Sequence, residues 1–415
     1  MWELSYTSSS SRTVRTRGQL SLRLLRENVA PVAALTAVCL IGCTTDQKVG
    51  NVGADCPAGT RGLSLALVDS VVLQETDSIF LGNPGASLSV GPNGSFYIPD
   101  YASGRLVVFS PQGDLLMTVG RAGAGPGEFQ MVGAFGVVTD SLVLYIDSGA
   151  RRVNVFHRSG SFRTSIPYNG YLSWISKNRG LYAFGLIDHG STRAIALRPE
   201  GEIDAAVGKP LEELTATMIA LPSEYSTYPL LRQWNDAKVV RFGDTTIVAF
   251  GGVSYLVRAV GPAPLTDTIR VPACKRRGTP REVLERLFKH SPRGRREAGR
   301  LYEKTDQAIS GAGGLWRLGD GRFLMWYQDP TLEPGGQVLK GTAFLSLFSA
   351  DLSRVCVDGR IDAPGIDRPR IGFHDDSVLV LDQVVPADGP SRAVTVIRKY
   401  VLKPEGCSWL LTAPP

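Results

Sequence analysis

The sequence predicts an all-β protein built from repeated small sheets, and three observations support this prediction. The chain is rich in turn-forming residues, with 46 Gly and 26 Pro among 415 residues. A frame with the spacing Asp-x4-Arg-x3-Phe/Leu-x3-Gly occurs three times in succession, as Asp100/Arg105/Phe109/Gly113, Asp147/Arg152/Phe156/Gly160 and Asp188/Arg193/Leu197/Gly201. Successive copies are shifted by 47 and 41 residues, with short strands and no helix between them. This period is typical of the blades of a β-propeller.

The first two copies have the clearest strand chemistry. Aromatic and β-branched residues are concentrated in Ser95–Ile98 and Arg105–Phe109, and again in their counterparts Leu142–Ile146 and Arg152–Phe156. Turn-forming residues follow each pair, at 110–113 and 158–160, and Leu115–Val119 is predicted as the next strand. Each unit is too small to bury its apolar face alone, so neighbouring units are expected to stack.

Two segments resemble the NHL-repeat family. The run from Asp147 to Phe156 resembles the NHL signature, and Gly120–Phe129 resembles the linker into the next blade. The resemblance covers residues 86–168 well and continues less clearly to about residue 205. It departs from the family where Asn usually follows the Asp by three positions, since Ser103, Ala150 and Ser191 stand there. The resemblance implies a β-propeller, often with six blades, and specifies no chemistry.

The first 43 residues have the features of an export signal. Five arginines between Arg12 and Arg26 precede an apolar run, Val29–Ile41, which is short for a membrane span. The run ends in Leu-Ile-Gly-Cys, which resembles a bacterial lipobox, and the family motif implies lipidation of Cys43. A signal cleaved without lipidation and a membrane-anchoring helix are the alternatives. Acyl chains on Cys43 would hold the protein at a membrane surface.

The charge balance gives no reason to expect a nucleic-acid partner. The whole chain has a formal net charge of +6, and removal of residues 1–42, with five Arg and two Glu, leaves +3. A net charge of this size is ordinary and argues against nucleic acid as the default partner.

Four cysteines remain after the signal and the lipidation site are removed: Cys56, Cys274, Cys356 and Cys407. An even number in an exported protein favours two disulfides. Sequence alone leaves their pairing open; we favour Cys274–Cys356, because both lie in outer strands of neighbouring blades, and Cys56–Cys407, because a propeller brings its chain ends together. A zinc site is the alternative, but the sequence has no CxxC motif and no paired His.

The mature chain divides into a tether, residues 44–62, and one propeller domain, residues 63–415. The segment Leu63–Gln74 partly alternates and is predicted to join the last blade and close the ring, since closure removes exposed sheet edges. Blades are predicted at 86–120, 133–168, 170–207, 239–271, 314–358 and 370–410, with insertions at 208–235 and 275–312. Without the insertions, six blades have about 43 residues each and seven have about 37, so six is the better fit to known repeats.

The repeated Asp/Arg pairs suggest a binding site. Arg105, Arg152 and Arg193 at equivalent blade positions would form an arc suited to a carboxylate or phosphate. The alternative is structural, with each Asp accepting backbone hydrogen bonds in its turn and pairing with its own Arg. Repetition at identical positions favours the structural alternative.

The second insertion is basic and partly helical by prediction. Thr279-Pro280-Arg281-Glu282 fits a capping box, and apolar residues follow at helical spacing. Arg281, Arg286 and Lys289 are candidates for binding an anionic lipid headgroup, a glycan or a partner; a solvated helix face is the alternative. His374, Asp375, Asp376 and Asp382 are weak candidates for a cation site, since Asp375-Asp376-Ser377 also fits a turn before a strand.

No catalytic constellation stands out in the sequence. We therefore expect a monomeric, lipid-anchored scaffold of the bacterial cell envelope, in the outer membrane where the host has one. Its partner would be a protein, peptide or glycan, with no cofactor, no nucleic acid and no membrane contact beyond the anchor. One alternative is a metal-dependent hydrolase or lactonase with a site in the central channel, for which calcium is the expected ion. A structural envelope component is a further alternative.

Overall fold

A computed structural model of the protein describes residues 56–412 with internal gaps, and nearly all regular structure in the described part is β. The gaps are 86–87, 168–170, 179–180, 188–192, 200–214, 220–236, 244, 251–254, 261–264, 273–291, 293–294, 297–299, 301–310, 333–337, 362–369 and 385–392. For residues 171–199 and 215–219 the backbone alone is described. The predicted signal segment, with Cys43, lies outside the described residues, as does the tether up to residue 55.

The two clearest sequence repeats form two antiparallel sheets. After β1 (Ser64–Val72), the first sheet contains β2 (Ser89–Val90), β3 (Phe96–Asp100), β4 (Arg105–Phe109) and β5 (Leu115–Val119). A short parallel pair, β6 (Arg121–Ala122) and β7 (Glu128–Phe129), leads to the second sheet, with β8 (Val132–Val138), β9 (Leu142–Asp147), β10 (Arg152–His157) and β11 (Phe162–Pro167). Strands pair in chain order, so each sheet is a meander.

The turns that were predicted between these strands are present. In the first sheet the Ser110 hydroxyl accepts hydrogen bonds from the backbone N–H groups of Gln112 and Asp114, and Gly113 has a φ of +96°. In the second sheet Gly160 has a φ of +89° at the equivalent position. Only glycine adopts this left-handed conformation without strain, which explains why Gly ends both copies of the repeat.

The next two sheets also have four strands each. The third contains β12 (Tyr171–Asn178), β13 (Leu181–Ile187), β14 (Arg193–Pro199) and β15 (Thr215–Ile219), and the fourth contains β16 (Ala237–Phe242), β17 (Thr245–Phe250), β18 (Tyr255–Val260) and β19 (Leu265–Arg270). The predicted insertion 208–235 is therefore wrong in part. Its residues Thr215–Ile219 are the outer strand of the third sheet, where Ile219 lies opposite Arg193. Two β-branched threonines and an isoleucine suit this segment to a strand.

The last two sheets contain strands from distant parts of the chain. The fifth has β20 (Gly311–Arg317), β21 (Phe323–Leu332), β22 (Val338–Phe348) and β23 (Arg354–Ile361), and the sixth has β24 (Arg370–His374), β25 (Ser377–Val384) and β26 (Val394–Lys403). The final strand, β27 (Leu410–Leu411), pairs with β23 and gives the fifth sheet a fifth strand.

The N-terminal strand completes the last sheet, which confirms the prediction for Leu63–Gln74. β1 pairs antiparallel with β26, from Ser64 opposite Lys403 to Val72 opposite Val396. The sixth sheet thus consists of three C-terminal strands and one N-terminal strand. This arrangement hydrogen-bonds the beginning of the domain to its end and closes the ring of sheets.

The described strands form a β-propeller arrangement of five four-stranded sheets and one five-stranded sheet. The number of standard four-stranded blades is therefore five, not the six that we predicted, because β27 extends one sheet beyond the standard form. The helix predicted at the start of the second insertion lies outside the described residues, with Arg281, Arg286 and Lys289. No complete helix is among the elements that the described residues form.

The core consists of apolar layers between neighbouring sheets. Strands β3 and β9 are buried along their whole length, because residues on both faces of a middle strand contact an adjacent sheet. One layer joins Leu106 and Val108 of the first sheet to Val143 and Tyr145 of the second. A further layer, which includes Phe109 and Leu379, joins the first sheet to the sixth. Burial of each large aliphatic side chain contributes about 1.5–3 kcal/mol.

The disulfide pairing differs from the prediction. Cys356 on β23 is bonded to Cys407, with their Cα atoms 6.0 Å apart, so the predicted pairs Cys274–Cys356 and Cys56–Cys407 are both wrong. The reason is the C-terminal strand β27, which lies along β23 and brings Cys407 beside Cys356. Cys56 also takes part in a disulfide, and Cys274 lies outside the described residues.

Candidate binding face

The meander topology places several predicted functional segments at one end of the sheets. In each four-stranded antiparallel meander, the turn between the second and third strands lies at the same end as the connection to the next sheet. In the first two sheets this end carries the turns 101–104 and 148–151 and the connections 73–88 and 120–131. We call this surface the connecting face. The second insertion also leaves β19 and re-enters at β20 at this end of its sheets.

Buried carboxylates attach the connections to the turns at this face. Asp100, which is 1% exposed, accepts hydrogen bonds from the backbone N–H groups of Asn83 (3.0 Å) and Ala102 (3.2 Å) and from the hydroxyl of Ser103. Its counterpart Asp147 is fully buried and accepts hydrogen bonds from the N–H groups of Gln130, Met131 and Ala150. Both oxygens of each carboxylate accept hydrogen bonds from the turns and connections, which is a structural role.

All three side-chain nitrogens of Arg152 donate hydrogen bonds within the protein. Its Nε donates to Asp147 Oδ2 at 3.2 Å. Its terminal nitrogens donate to the carbonyl oxygens of Glu128 (2.7 Å), Gly125 (3.0 Å) and Ala124 (3.4 Å) in the connection between the first two sheets. For this copy of the repeat, the structural alternative stated above describes the observed contacts.

Arg105, at the equivalent position 47 residues earlier, is in a different situation. The Asp100 oxygen that would correspond to the one bound by Arg152 accepts the Ser103 hydroxyl instead. The Nε of Arg105 is shielded from solvent and has no hydrogen-bond partner in the described part of the chain. Its side chain is partly exposed. The two copies of the repeat therefore share a backbone and differ in what the arginine can bind.

The connection ahead of the first sheet is held by other side chains. Glu75 accepts hydrogen bonds from the N–H of Leu81 (3.1 Å) and from the hydroxyl of Thr395 on the sixth sheet. The carbonyl of Leu81, which corresponds to that of Glu128, accepts a bond from the Gln383 amide at 3.5 Å. The carbonyl that would correspond to that of Glu128 is thus already bound by another side chain.

The connection between the first two sheets is stabilised by a surface carboxylate. Glu128 accepts hydrogen bonds from the N–H of Gly125 (2.8 Å) and from Nε of Arg121 (2.8 Å), and these contacts lower the pKa of Glu128. The next residue, Phe129, is buried and packs against Phe156 with ring centroids 5.8 Å apart. The connection between the first two sheets is therefore held in a defined conformation by hydrogen bonds and packing.

Large apolar side chains are exposed on the connecting face. Phe80 is 45% exposed, Tyr101 39% and Met131 57%, in the connections and the turn of the first two sheets. Arg151 lies in the adjacent turn with a φ of +50° and is exposed. Exposed aromatic residues, Met and Arg together are enriched in surfaces that bind proteins and peptides.

A buried tyrosine links the first two sheets beneath this face. The hydroxyl of Tyr145 donates to Oγ of Ser89 at 2.9 Å, and Ser89 donates to the carbonyl of Gly136 at 3.0 Å. Burial raises the pKa of Tyr145 well above its ordinary value. A hydroxyl held in its neutral form by burial serves as a structural hydrogen-bond donor.

The other predicted site residues are less informative. Arg193 begins β14, but its side chain is not among those described. The Nε2 atom of His374 lies 3.0 Å from Oδ2 of Asp375, and Asp375 and Asp376 have positive φ values of 43° and 60°, so they form a turn. Asp382 pairs with Arg398 at 3.0 Å. Within the described part of the chain, no group of three or more His, Cys, Asp or Glu residues is arranged to hold a metal ion.

The exposed apolar residues of the connecting face were not predicted from the sequence. Phe80, Tyr101 and Met131 are separated by 20 to 30 residues and follow no periodic pattern. A signal was nonetheless available, because the 47-residue shift that relates Asp100 to Asp147 also relates Asn83 to Gln130, whose N–H groups bind those aspartates. If the repeat had been traced upstream of Asp100 and Asp147, it would have indicated that the connections containing Asn83 and Gln130 lie beside the turns that follow these aspartates.

In the described residues, no helix has the length and apolar character needed to cross a membrane.

Comparison with known proteins identifies the fold and no family. No protein-family model matches the chain, and no curated protein matches it. A protein of Bacteroides fragilis whose name describes it as exported is 14% identical, with a TM-score of 0.51, over 82% of this chain and 95% of its own. A member of the DUF4221 family from Bacteroides vulgatus is 8% identical, with a TM-score of 0.51, over 82% of this chain and 99% of its own.

These solved structures are β-propellers, and at such low identities the similarity shows the fold alone. The chain is therefore a β-propeller protein. A streptogramin B lyase covers 82% of the chain at 10% identity, but its TM-score of 0.42 is too low to carry an argument. The resemblance to NHL repeats is not confirmed by a family match and remains an expectation.

Proposed function

We propose that this protein is a lipid-anchored β-propeller of the bacterial cell envelope that binds a protein or peptide partner through its connecting face. The observation that carries the proposal is the exposure of Phe80, Tyr101 and Met131 on that face, where the neighbouring carboxylates Asp100 and Asp147 are buried. Large apolar side chains on a rigid sheet scaffold are typical of binding surfaces.

Export is supported by two features of the chain. The basic segment, apolar run and Cys43 at the N-terminus have the form of a lipoprotein signal. The Cys356–Cys407 bond belongs to the class of disulfides that persist in oxidising compartments outside the cytoplasm. Cys43 is the proposed lipidation site. The name of one fold neighbour describes it as exported, which agrees with this location.

We propose six blades, with the five-stranded sheet as the fifth blade. Its first four strands, β20 to β23, have the same meander order as the other blades, and β27 is added at the outer edge. The innermost strand β20 also contacts β16 of the fourth sheet, as expected for neighbours in a ring. β27 is then an extension of a blade and not evidence against a sixth one.

The geometry of β1 leaves the connecting face accessible when the N-terminus is anchored. β1 ends at Val72, next to the connection 73–88 that belongs to the connecting face, and begins at Ser64 at the other end of the sheet. Nine residues of strand separate the two ends by about 30 Å. The tether would therefore enter on the side opposite to the binding surface.

Site-specific photo-crosslinking in the native host would test this proposal. A photoreactive amino acid at Tyr101 or Met131 is expected to crosslink to the same partner, whereas one at Glu405, in an exposed turn beyond the end of β26 where β1 begins, is not. Equal crosslinking at all three positions, or none at Tyr101 and Met131, would refute the binding face.

The membrane anchor is tested separately by cell fractionation. We expect the wild-type protein in the membrane fraction and the Cys43→Ser variant outside it. Membrane association of the variant that resists high salt would contradict lipidation at Cys43 while leaving the binding face untouched.

A further inference from the structure

We propose that Arg105 is a binding site for a carboxylate group that is attached to an apolar group. The proposal deepens the proposed binding role of the connecting face and rests on it. It identifies which of the repeated arginines binds the partner and which chemical group of the partner it recognises. A peptide C-terminus and an acidic side chain both present this chemistry.

The second blade shows where an acceptor would lie. There, Arg152 directs its terminal nitrogens to the carbonyl oxygens of Ala124, Gly125 and Glu128, at 2.7 to 3.4 Å. These oxygens act as a built-in ligand for the guanidinium. Arg105 occupies the equivalent position in the first blade, since Asp100 lies opposite Arg105 in the strand register as Asp147 lies opposite Arg152. At Arg105, which has no such contacts among the described residues, an oxygen-bearing ligand would take the place of these carbonyl oxygens.

The position of Arg105 follows from its strand. Side chains alternate across a strand, so Arg105 lies on the same side of β4 as Val107 and Phe109. Those two residues belong to the apolar layer between the first and sixth sheets, which also contains Leu81 and Leu379. Arg105 therefore lies at the connecting-face end of that layer, beside the connection 73–88.

Neighbouring acceptors are engaged elsewhere. Asp100 accepts three hydrogen bonds from Asn83, Ala102 and Ser103. Glu75 accepts bonds from Leu81 and Thr395. In the part of the chain that the structure describes, no carboxylate forms an ion pair with Arg105, and its Nε has no acceptor although it is shielded from water. An anionic acceptor is therefore favoured over a neutral one.

The surroundings define the rest of the ligand. Phe80 and the turn residue Ala102 both lie about 3.3 Å from the point where a Cβ on Gly82 would stand, so the two are close neighbours. Tyr101 is in the same turn, four positions before Arg105, and both aromatic residues are exposed. A ligand whose carboxylate contacts Arg105 thus has apolar surface beside it. The planar guanidinium binds carboxylates with two parallel hydrogen bonds.

Binding of small peptides to the full-length protein in detergent would test the site. The probes are N-acetyl-Gly-Phe with a free C-terminal carboxylate, N-acetyl-Glu-Phe-amide with a side-chain carboxylate, and N-acetyl-Gly-Phe-amide with neither. We expect at least one carboxylate probe to bind at least tenfold more tightly than the neutral amide. The stronger of the two carboxylate probes identifies the source of the group.

Two matched variants assign the binding to Arg105. Arg105→Gln is expected to abolish the tenfold preference, and Arg61→Gln, which removes an exposed arginine ahead of β1 and outside the connecting face, is expected to retain it. Both variants should unfold at the wild-type temperature. Equal affinity for charged and neutral probes, no binding by the wild-type protein, or an unchanged preference in Arg105→Gln would overturn the proposal.

The carboxylate site and the proposed binding function are tested independently, and either can be refuted while the other stands. If crosslinking at Tyr101 and Met131 persists while Arg105→Gln has no effect on the probes, the binding face stands and the carboxylate site does not. If the carboxylate preference depends on Arg105 but no partner crosslinks to the face, the site stands and the proposed partner role does not.

Discussion

At the scale of single residues, two arginines in equivalent positions have different roles. Arg152 is 16% exposed and joins a fully buried aspartate to three carbonyl oxygens, whereas Arg105 has no such contacts among the described residues. The sequence repeat is the same at both sites, so the difference arises from the preceding connection. One connection offers its carbonyls to the guanidinium, and the other is held by Glu75 and Gln383.

This difference predicts that the same substitution affects stability at one position and not at the other. Arg152→Gln is expected to lower the free energy of unfolding by about 2–3 kcal/mol, because Asp147 would remain buried without its cation. Arg105→Gln is the matched control and is expected to change it by less than about 0.5 kcal/mol. Urea denaturation of the two variants measures both values, and equal losses would contradict the assigned roles.

The lowered pKa of Glu128 predicts that the stability of the connection 120–131 depends on pH. Hydrogen bonds from Gly125 and Arg121 lower its pKa in the folded protein below the ordinary value of 4.5. A lowered folded pKa means that the carboxylate stabilises the segment above the ordinary pKa and that this stabilisation is lost as the pH falls through the folded value.

The amide proton of Gly125 reports this titration directly. Its chemical shift should change with a midpoint below pH 4.5 in the wild-type protein, and the change should be absent in Glu128→Gln. A midpoint at or above 4.5 would show that the carboxylate is not held as described.

At the scale of the elements, the repeat determines turns as well as strands. Gly113 and Gly160 end equivalent turns, and both have positive φ values. Strands β4 and β5 were predicted with their observed bounds and β10 to within one residue, because alternation and β-branched composition are local properties. What differs is the contact that each turn makes with the rest of the protein. The carbonyl of Gly113 accepts a hydrogen bond from the N–H of Gln74, just after the end of the N-terminal strand β1.

Alanine substitution at the two glycines should separate backbone strain from crowding. A Cβ at Gly113 would lie 2.2 Å from the carbonyl oxygen of Val72, whereas a Cβ at Gly160 would lie no closer than 3.4 Å to its neighbours. Gly160→Ala is expected to cost about 1–2 kcal/mol from the left-handed backbone alone. Gly113→Ala should cost about 1–3 kcal/mol more, because β1 must move. Thermal unfolding measures the difference, and equal costs would argue against the contact between the turn and β1.

At the scale of the whole molecule, both chain ends are fixed to neighbouring sheets. β1 completes the sixth sheet, and β27 is added to the fifth. Contacts across the junction include the hydrogen bond from the N–H of Leu63 to the carbonyl of Val357 (2.8 Å), and Gly359 lies against Leu65. The Cys356–Cys407 disulfide holds the C-terminal segment in this arrangement.

The disulfide should contribute measurably to the stability of the ring. The two cysteines are 51 residues apart in the chain, and closure of a loop of that length contributes about 4 kcal/mol in the chain-entropy model. The double variant Cys356→Ala/Cys407→Ala is therefore expected to unfold at a lower temperature than the wild type under non-reducing conditions. Under reducing conditions the difference in unfolding temperature between the wild type and the variant should become smaller. If the difference in unfolding temperature is unchanged after reduction, the lower stability of the variant comes from altered side-chain packing and not from the missing disulfide.

The sequence by itself determined the all-β class, strands β3, β4, β5, β9 and β10 of the first two repeats, their turns and the strand that closes the ring. These features depend on residue type at short range, or on a repeat that is visible at a fixed period. The three-dimensional arrangement decided the rest. Cys356 was paired with the wrong cysteine because the position of β27 depends on which sheet edge is free, and local composition does not contain that information.

The same reason applies to the candidate site. The sequence singled out Arg105 and Arg152 as equivalent, since both stand in the same frame of the repeat. Only the tertiary structure distinguished them, because the acceptors of Arg152 come from residues 24 to 28 positions away, in a connection whose path depends on the packing of two sheets. The exposure of Phe80, Tyr101 and Met131 was decided in the same way, since the burial of an apolar residue depends on what packs against it.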